Sequence, residues 1–143
     1  MARPIGLKDF SKRMKVVADT IGKNTNDVVR QAALEADQVG VLRTPVDTGR
    51  ARANWLVSIG EPTTETVDTP DNPAAGTAEA LAQARQATRG YKTRLGSIFI
   101  TNNVEYIVPL DEGTSPQAPS GMSAFMVQAA RDVLRKFKLL KGV

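Results

Sequence analysis

Asp47-Thr48-Gly49 is the tripeptide most open to a chemical reading. A carboxylate on such a turn, met by the same turn of a second copy, can share one proton and act as general acid and base. That is the constellation of a twofold aspartic protease. Its surroundings argue for another use: the turn follows a long helical pattern, Arg50 comes next, and the chain is too helical for an all-β fold. The structural reading has Asp47 and Thr48 bonding the turn's backbone and Gly49 supplying a positive φ. Glu105, Asp111 and Glu112 form a second candidate, a carboxylate group for a divalent cation or for acid–base work. Their spacing fits no calcium-binding loop and no other polar residues converge on them in the sequence, so a solvated loop edge is the expectation.

Other chemistry is excluded by what is missing. The chain has no His and no Cys, so thiolate and imidazole metal sites, Cys and Ser–His nucleophile pairs, iron–sulfur centres and disulfides cannot be built. Neither a phosphate-cradling GxxxxGK[ST] nor a GxGxxG is present. No catalytic residue, metal or cofactor is therefore expected. Trp55, Phe99 and Tyr106 read as core or sheet-face aromatics rather than a ligand cage.

The 143 residues are 41% apolar and 24% charged, the make-up of one globular domain over 1–143, large enough to need no metal or disulfide. The N-terminus lacks the apolar run of a secretory signal, and no stretch approaches a membrane span, so a soluble protein assembled in the cytoplasm is expected. The net charge of +4 is unevenly distributed: residues 1–30 carry seven basic and three acidic side chains, and residues 122–143 carry five and one. Residues 61–79 hold Glu61, Glu65, Asp68, Asp71 and Glu79 with no Lys or Arg. The basic ends alternate with apolar residues as on any amphipathic helix, without the interleaved aromatics of a single-strand groove. A basic nucleic-acid-binding module is the alternative reading, and it predicts affinity that falls steeply with salt.

Periodicity supplies the elements. Leu7, Phe10, Met14, Val17 and Ile21 predict a first helix, interrupted at Gly22, with Asn24-Thr25-Asn26-Asp27 capping a second through Val28 to Leu42 that Pro45 stops. The two are expected to pack together. Asn54 to Gly60 and Gly96 to Thr101 read as strands, and Val104 to Leu110 as a further short element. Between the strands, 61–76 is an acidic, Pro-rich stretch with too few apolar residues to offset its ordering entropy, an expected flexible insert, and Thr77 to Thr88 a weakly hydrophobic helix. A C-terminal helix spans 122–141, with Phe125, Met126, Ala129, Ala130, Val133, Leu134, Phe137 and Leu140 at helical spacing. The order predicts an α+β fold: a small antiparallel sheet packed against the N-terminal helices (1–43) and the long C-terminal helix.

Two segments are more specific. Thr44-Pro45-Val46-Asp47-Thr48-Gly49-Arg50-Ala51-Arg52-Ala53-Asn54-Trp55, followed by Ile100-Thr101-Asn102-Asn103-Val104-Glu105-Tyr106-Ile107 and Glu112-Gly113-Thr114-Ser115-Pro116-Gln117-Ala118-Pro119, resemble the tail-completion or neck proteins of long-tailed bacteriophages, often called minor tail or head–tail joining proteins. The landmarks occur in the family's order over 25–140, whereas 61–95 is longer and more acidic than the usual linker. The resemblance implies a structural virion protein without catalysis, acting as a ring of about six copies between tail and head. It implies as partners the tail-terminator ring, the head-completion or stopper protein and the tail tube, with DNA passing through the axis and no membrane involved. Pro45, Asp47, Thr48, Gly49, Arg50, Trp55, Asn102, Asn103, Tyr106, Glu112, Gly113, Thr114 and Pro119 are then the interface candidates. An internal brace from Arg50 or Arg52 to Glu112 is the alternative use of those charges.

Overall fold

The computed structural model describes residues 6–113 and 121–138. The fold is α+β. Its largest element is one uninterrupted helix, α1, Leu7–Arg43. The expected break at Gly22 does not occur. A glycine inside a helix costs only about 1 kcal/mol, and the hydroxyls of Thr20 and Thr25 bond back to the carbonyls of Val16 (2.8 Å) and Ile21 (2.8 Å) instead of capping a new start. Because the two predicted helices are one, they cannot pack on each other. Leu7, Phe10 and Met14 stand exposed (82%, 53% and 49%), while the stripe farther along, Val28, Ala32 and Ala36, is buried.

Pro45 ends α1 as expected, with Thr44 as the C-cap. A one-turn helix α2, Arg50–Ala53, leads into β1, Leu56–Ile59. After the acidic segment comes α3, Pro73–Ala87, which starts inside the stretch expected as insert. The reason is local: Asn72 caps it by accepting from the Ala75 N–H at 3.0 Å, and Pro73 occupies the first helical position, where its missing N–H loses nothing. A single 3-10 turn at Thr93–Leu95 precedes β2, Ile98–Thr101. The strands pair antiparallel with Val57 opposite Ile100 and Ser58 opposite Phe99. Residues 104–110 add no strand to them: Ile107–Asp111 is a short helix, α4. Helix α5, Met122–Arg135, stops before the expected end, with Phe137 beyond it, and Leu140 lies outside the described residues.

Helix α5 lies antiparallel on the second half of α1. Its first turn reaches the end of α1, where the Met122 sulfur sits 3.4 Å from the Thr44 hydroxyl, and one turn later Met126 fills the space beside Gly40. A Cβ at Gly40 would come within 2.6 Å of the Met126 sulfur, so an alanine there would displace the Met126 side chain from the seam. Phe125, on the outer side of this seam, is covered by the Arg43 guanidinium 3.4 Å above its ring. Ala36, Val41, Trp55, Ala80 and Met126 form the core where α1, α3, α5 and the strand meet. On the other flank, Arg30 Nε donates to the Thr88 carbonyl at the end of α3 (3.0 Å) and Asn26 accepts from the Thr93 N–H (2.9 Å). Tyr91, buried, donates to the Gly96 carbonyl (2.7 Å) and shapes the approach to β2.

Candidate functional site

The turn after α1 is built around Thr44. Its hydroxyl donates to the Gly40 carbonyl at 2.6 Å and accepts from the Trp55 indole N–H at 2.7 Å, so the only Trp is locked to the helix end. Arg52 completes the junction. Its Nε donates to the Thr44 carbonyl (2.6 Å), one terminal nitrogen to the Leu42 carbonyl (3.0 Å) and the other to the Thr77 hydroxyl of α3 (2.9 Å). A cation at the carbonyl end of a helix meets the negative end of its dipole, while partial burial lowers the Arg52 pKa.

Gly49 carries φ +82° and is buried, as the sequence reading requires. A second reason for glycine comes only from the fold. A Cβ at Gly49 would lie 2.6 Å from the Pro73 carbonyl oxygen, and one at Gly76 would collide with the Gly49 carbonyl oxygen, so the start of α3 is seated directly on the turn. Thr48 does bond the turn's backbone, accepting from the Arg50 N–H at 3.3 Å, while Asp47 is exposed and Pro45 half-buried.

Three asparagines fasten the rest. Fully buried Asn54 uses both ends of its amide: Nδ2 donates to the Arg50 carbonyl (2.8 Å) and the Val67 carbonyl (3.1 Å), and Oδ1 accepts from the Val67 N–H (2.7 Å). Asn103 Nδ2 donates to the carbonyls of Thr63 (2.9 Å) and Glu65 (3.0 Å). The acidic segment is thereby laid along the domain as a strap. Asn102 Nδ2 donates to the Ala51 carbonyl (2.8 Å), fifty-one positions away, tying the segment after β2 to the turn.

The charged residues pair differently from expectation. Arg50 bonds Glu105 at 3.0 Å and lies 5.9 Å from the Tyr106 ring centroid, so neither Arg50 nor Arg52 supplies the brace to Glu112. The bond to Arg50 holds the Glu105 carboxyl below its ordinary range and raises the Arg50 pKa. Asp111 accepts from the Ser123 backbone N–H (2.8 Å) and the Ser123 hydroxyl (2.5 Å), capping α5 from a different helix. The proposed carboxylate group is thus divided between an ion pair and a helix cap. Among the described residues no group of three or more potential metal-ligating side chains comes together. Glu112 and Gly113 lie exposed at the end of α4, and Thr114 and Pro119 lie outside the described residues.

Sequence reasoning singled out Asn102 and Asn103 but not Asn54 as a tether, nor Gln83. Gln83, on α3, accepts from the Val57 N–H (2.9 Å) and donates to the Val57 carbonyl (2.9 Å), imitating the neighbour strand that β1 lacks. Its position among alanines in a helical run gives no sign of this; the Asn54 position next to Trp55 was the nearer clue.

Compared with known proteins, the chain matches no family model, no curated protein and no solved structure. Among the described residues no helix is long and apolar enough to cross a membrane. At this junction polar side chains are consumed in bonding backbone, tying the turn, the strap and the segment after β2 to one another.

Proposed function

We propose that this chain is a structural virion protein of a long-tailed bacteriophage, acting without catalysis as part of a ring of about six copies that completes the tail and joins it to the head. The observation that carries the reading is that the two segments bearing the resemblance, far apart in sequence, are hydrogen-bonded into one unit by Asn102 to Ala51 and by Arg50 to Glu105. A junction held by its own side chains keeps its shape when a partner docks, which lowers the entropy cost of assembly. The partners in this reading are the tail-terminator ring, the head-completion or stopper protein and the tail tube, with DNA crossing the axis and no specific base recognition.

Electron microscopy of particles made with and without the gene tests it. The expected result is separate tails and filled heads when the chain is absent, and an added ring of density at the tail end when it is restored. Normal, infectious virions without it would overturn the proposal, as would turnover of a substrate by the purified chain.

A further inference from the structure

The two edges of the two-stranded sheet differ. On the outer edge of β1, Gln83 takes up both backbone groups of Val57. In the antiparallel register, Gly60 donates to Ser97 (2.8 Å), which makes Gly60–Ser97 and Ser58–Phe99 hydrogen-bonded pairs and Val57–Ile100 a non-bonded one. The N–H and C=O groups of Ile98 and Ile100 therefore point away from β1, and among the described residues nothing bonds them there. A groove lies beside this edge, lined by Val29, Ala33 and Ala36 of α1, by Ile98 and Ile100 themselves and by Ala130 of α5.

The strap is a second open edge. The Thr63 and Glu65 carbonyls and both backbone groups of Val67 bond Asn103 and Asn54. Between these tethered positions, the backbone groups of Thr64 and Thr66 bond nothing among the described residues. Here too the free groups recur at every second residue, as on β2. Pro62 and Pro70 bound the segment, Thr and Val favour extended backbone, and Val67 offers one large apolar side chain, 39% exposed.

Charge decides which occupant fits. Thr93, which lines the groove, is flanked in the chain by exposed Lys92 and Arg94, with Arg89 just upstream, and no acidic residue lines the groove. The strap carries Glu61, Glu65, Asp68 and Asp71 without a basic residue. We infer that copies of this chain join head to tail by strand addition, the open edge of β2 in one copy pairing with the outer edge of residues 63–67 in the next. Two different surfaces meet, so the contact is heterologous and propagates around a ring or along a filament. The inference deepens the ring of the proposed function by naming its faces, and rests on that reading only for closure of the ring.

The test uses the full chain, which has no cysteine of its own. Thr66→Cys and Ser97→Cys, both at exposed positions, are purified separately, mixed and treated with a short bis-maleimide, which traps a transient contact. The expected result is a cross-linked heterodimer in the mixture, little from either variant alone, and a ladder of multimers from the double variant. Adding Lys92→Glu and Arg94→Glu to the Ser97→Cys chain abolishes the heterodimer. Adding Glu65→Lys and Asp68→Lys to the Thr66→Cys partner restores it, a rescue that misfolding would not produce. No heterodimer in the mixture, or equally rapid dimers from Ser97→Cys alone, overturns the inference. A closed oligomer by light scattering without the cross-link removes this contact and leaves the ring reading intact, whereas a cross-linked ladder from a protein dispensable for virions does the reverse.

Discussion

Asn54, at the junction, and Asp37, two turns before the end of α1, are both shut off from solvent. Around Asn54 the amide oxygen and nitrogen each find backbone partners, and one side chain joins α2 to the strap. Around Asp37 neither carboxylate oxygen has a hydrogen-bond partner among the described residues, and burial pushes its pKa from 3.8 up to about 7. A buried polar group that is satisfied specifies geometry, because any other arrangement strands it. A buried carboxyl without partners favours its neutral form and makes stability depend on pH.

The largest effect expected from this contrast is at Asp37. Its folded pKa lies above the unfolded value, so its contribution to stability is fully present below pH 4 and is lost as pH rises through about 7. Asp37→Asn mimics the protonated form and should raise stability at pH 8 by roughly 2–4 kcal/mol, with little change at pH 4. Urea unfolding across that range checks it; a wild-type curve with no slope between pH 4 and 8 would break the contrast.

At the junction the sign reverses, because there each change either removes a bonding atom or adds one where there is no room. Gly49→Ala should cost about 3 kcal/mol, from the positive φ and from the collision with Pro73. Asn54→Ala should cost about 2 kcal/mol, because it leaves the Val67 N–H without its partner. It should also free the strap, which limited proteolysis would report as faster cleavage within residues 61–72 while the rest of the chain stays resistant. Arg50→Ala is the smallest case: its pair with Glu105 sits at the surface and the carboxylate is 73% exposed, so the unfolding midpoint should not move measurably. A large loss there would mean that Arg50 holds the two resembling segments together more tightly than Asn102 does.

Much of this architecture was legible in the residues. The α+β class, both strands, the stop at Pro45 and the need for a positive φ at Gly49 follow from period, composition and covalent geometry, which act within a few positions of the chain. The start of α3 at Asn72-Pro73 was legible in the same way, as a cap followed by a residue with no N–H to lose, but the surrounding prolines and acids masked it. The continuity of α1 through Gly22 was not, because breaking or keeping a helix there is a difference of about 1 kcal/mol that packing against Thr88 and Thr93 can decide.

Local pattern by itself determined both strands, most of the helical segments and where the acidic stretch lies. Tertiary structure alone decided that Gln83 takes up Val57 on the outer edge of β1 while the outer edge of β2 stays open, that Asp111 caps a helix it does not belong to, and that Asp37 is enclosed with no hydrogen-bond partner among the described residues. The physical reason is distance. Propensity and capping act between neighbours along the chain, while hydrogen-bond satisfaction and desolvation depend on what the fold brings from tens of residues away.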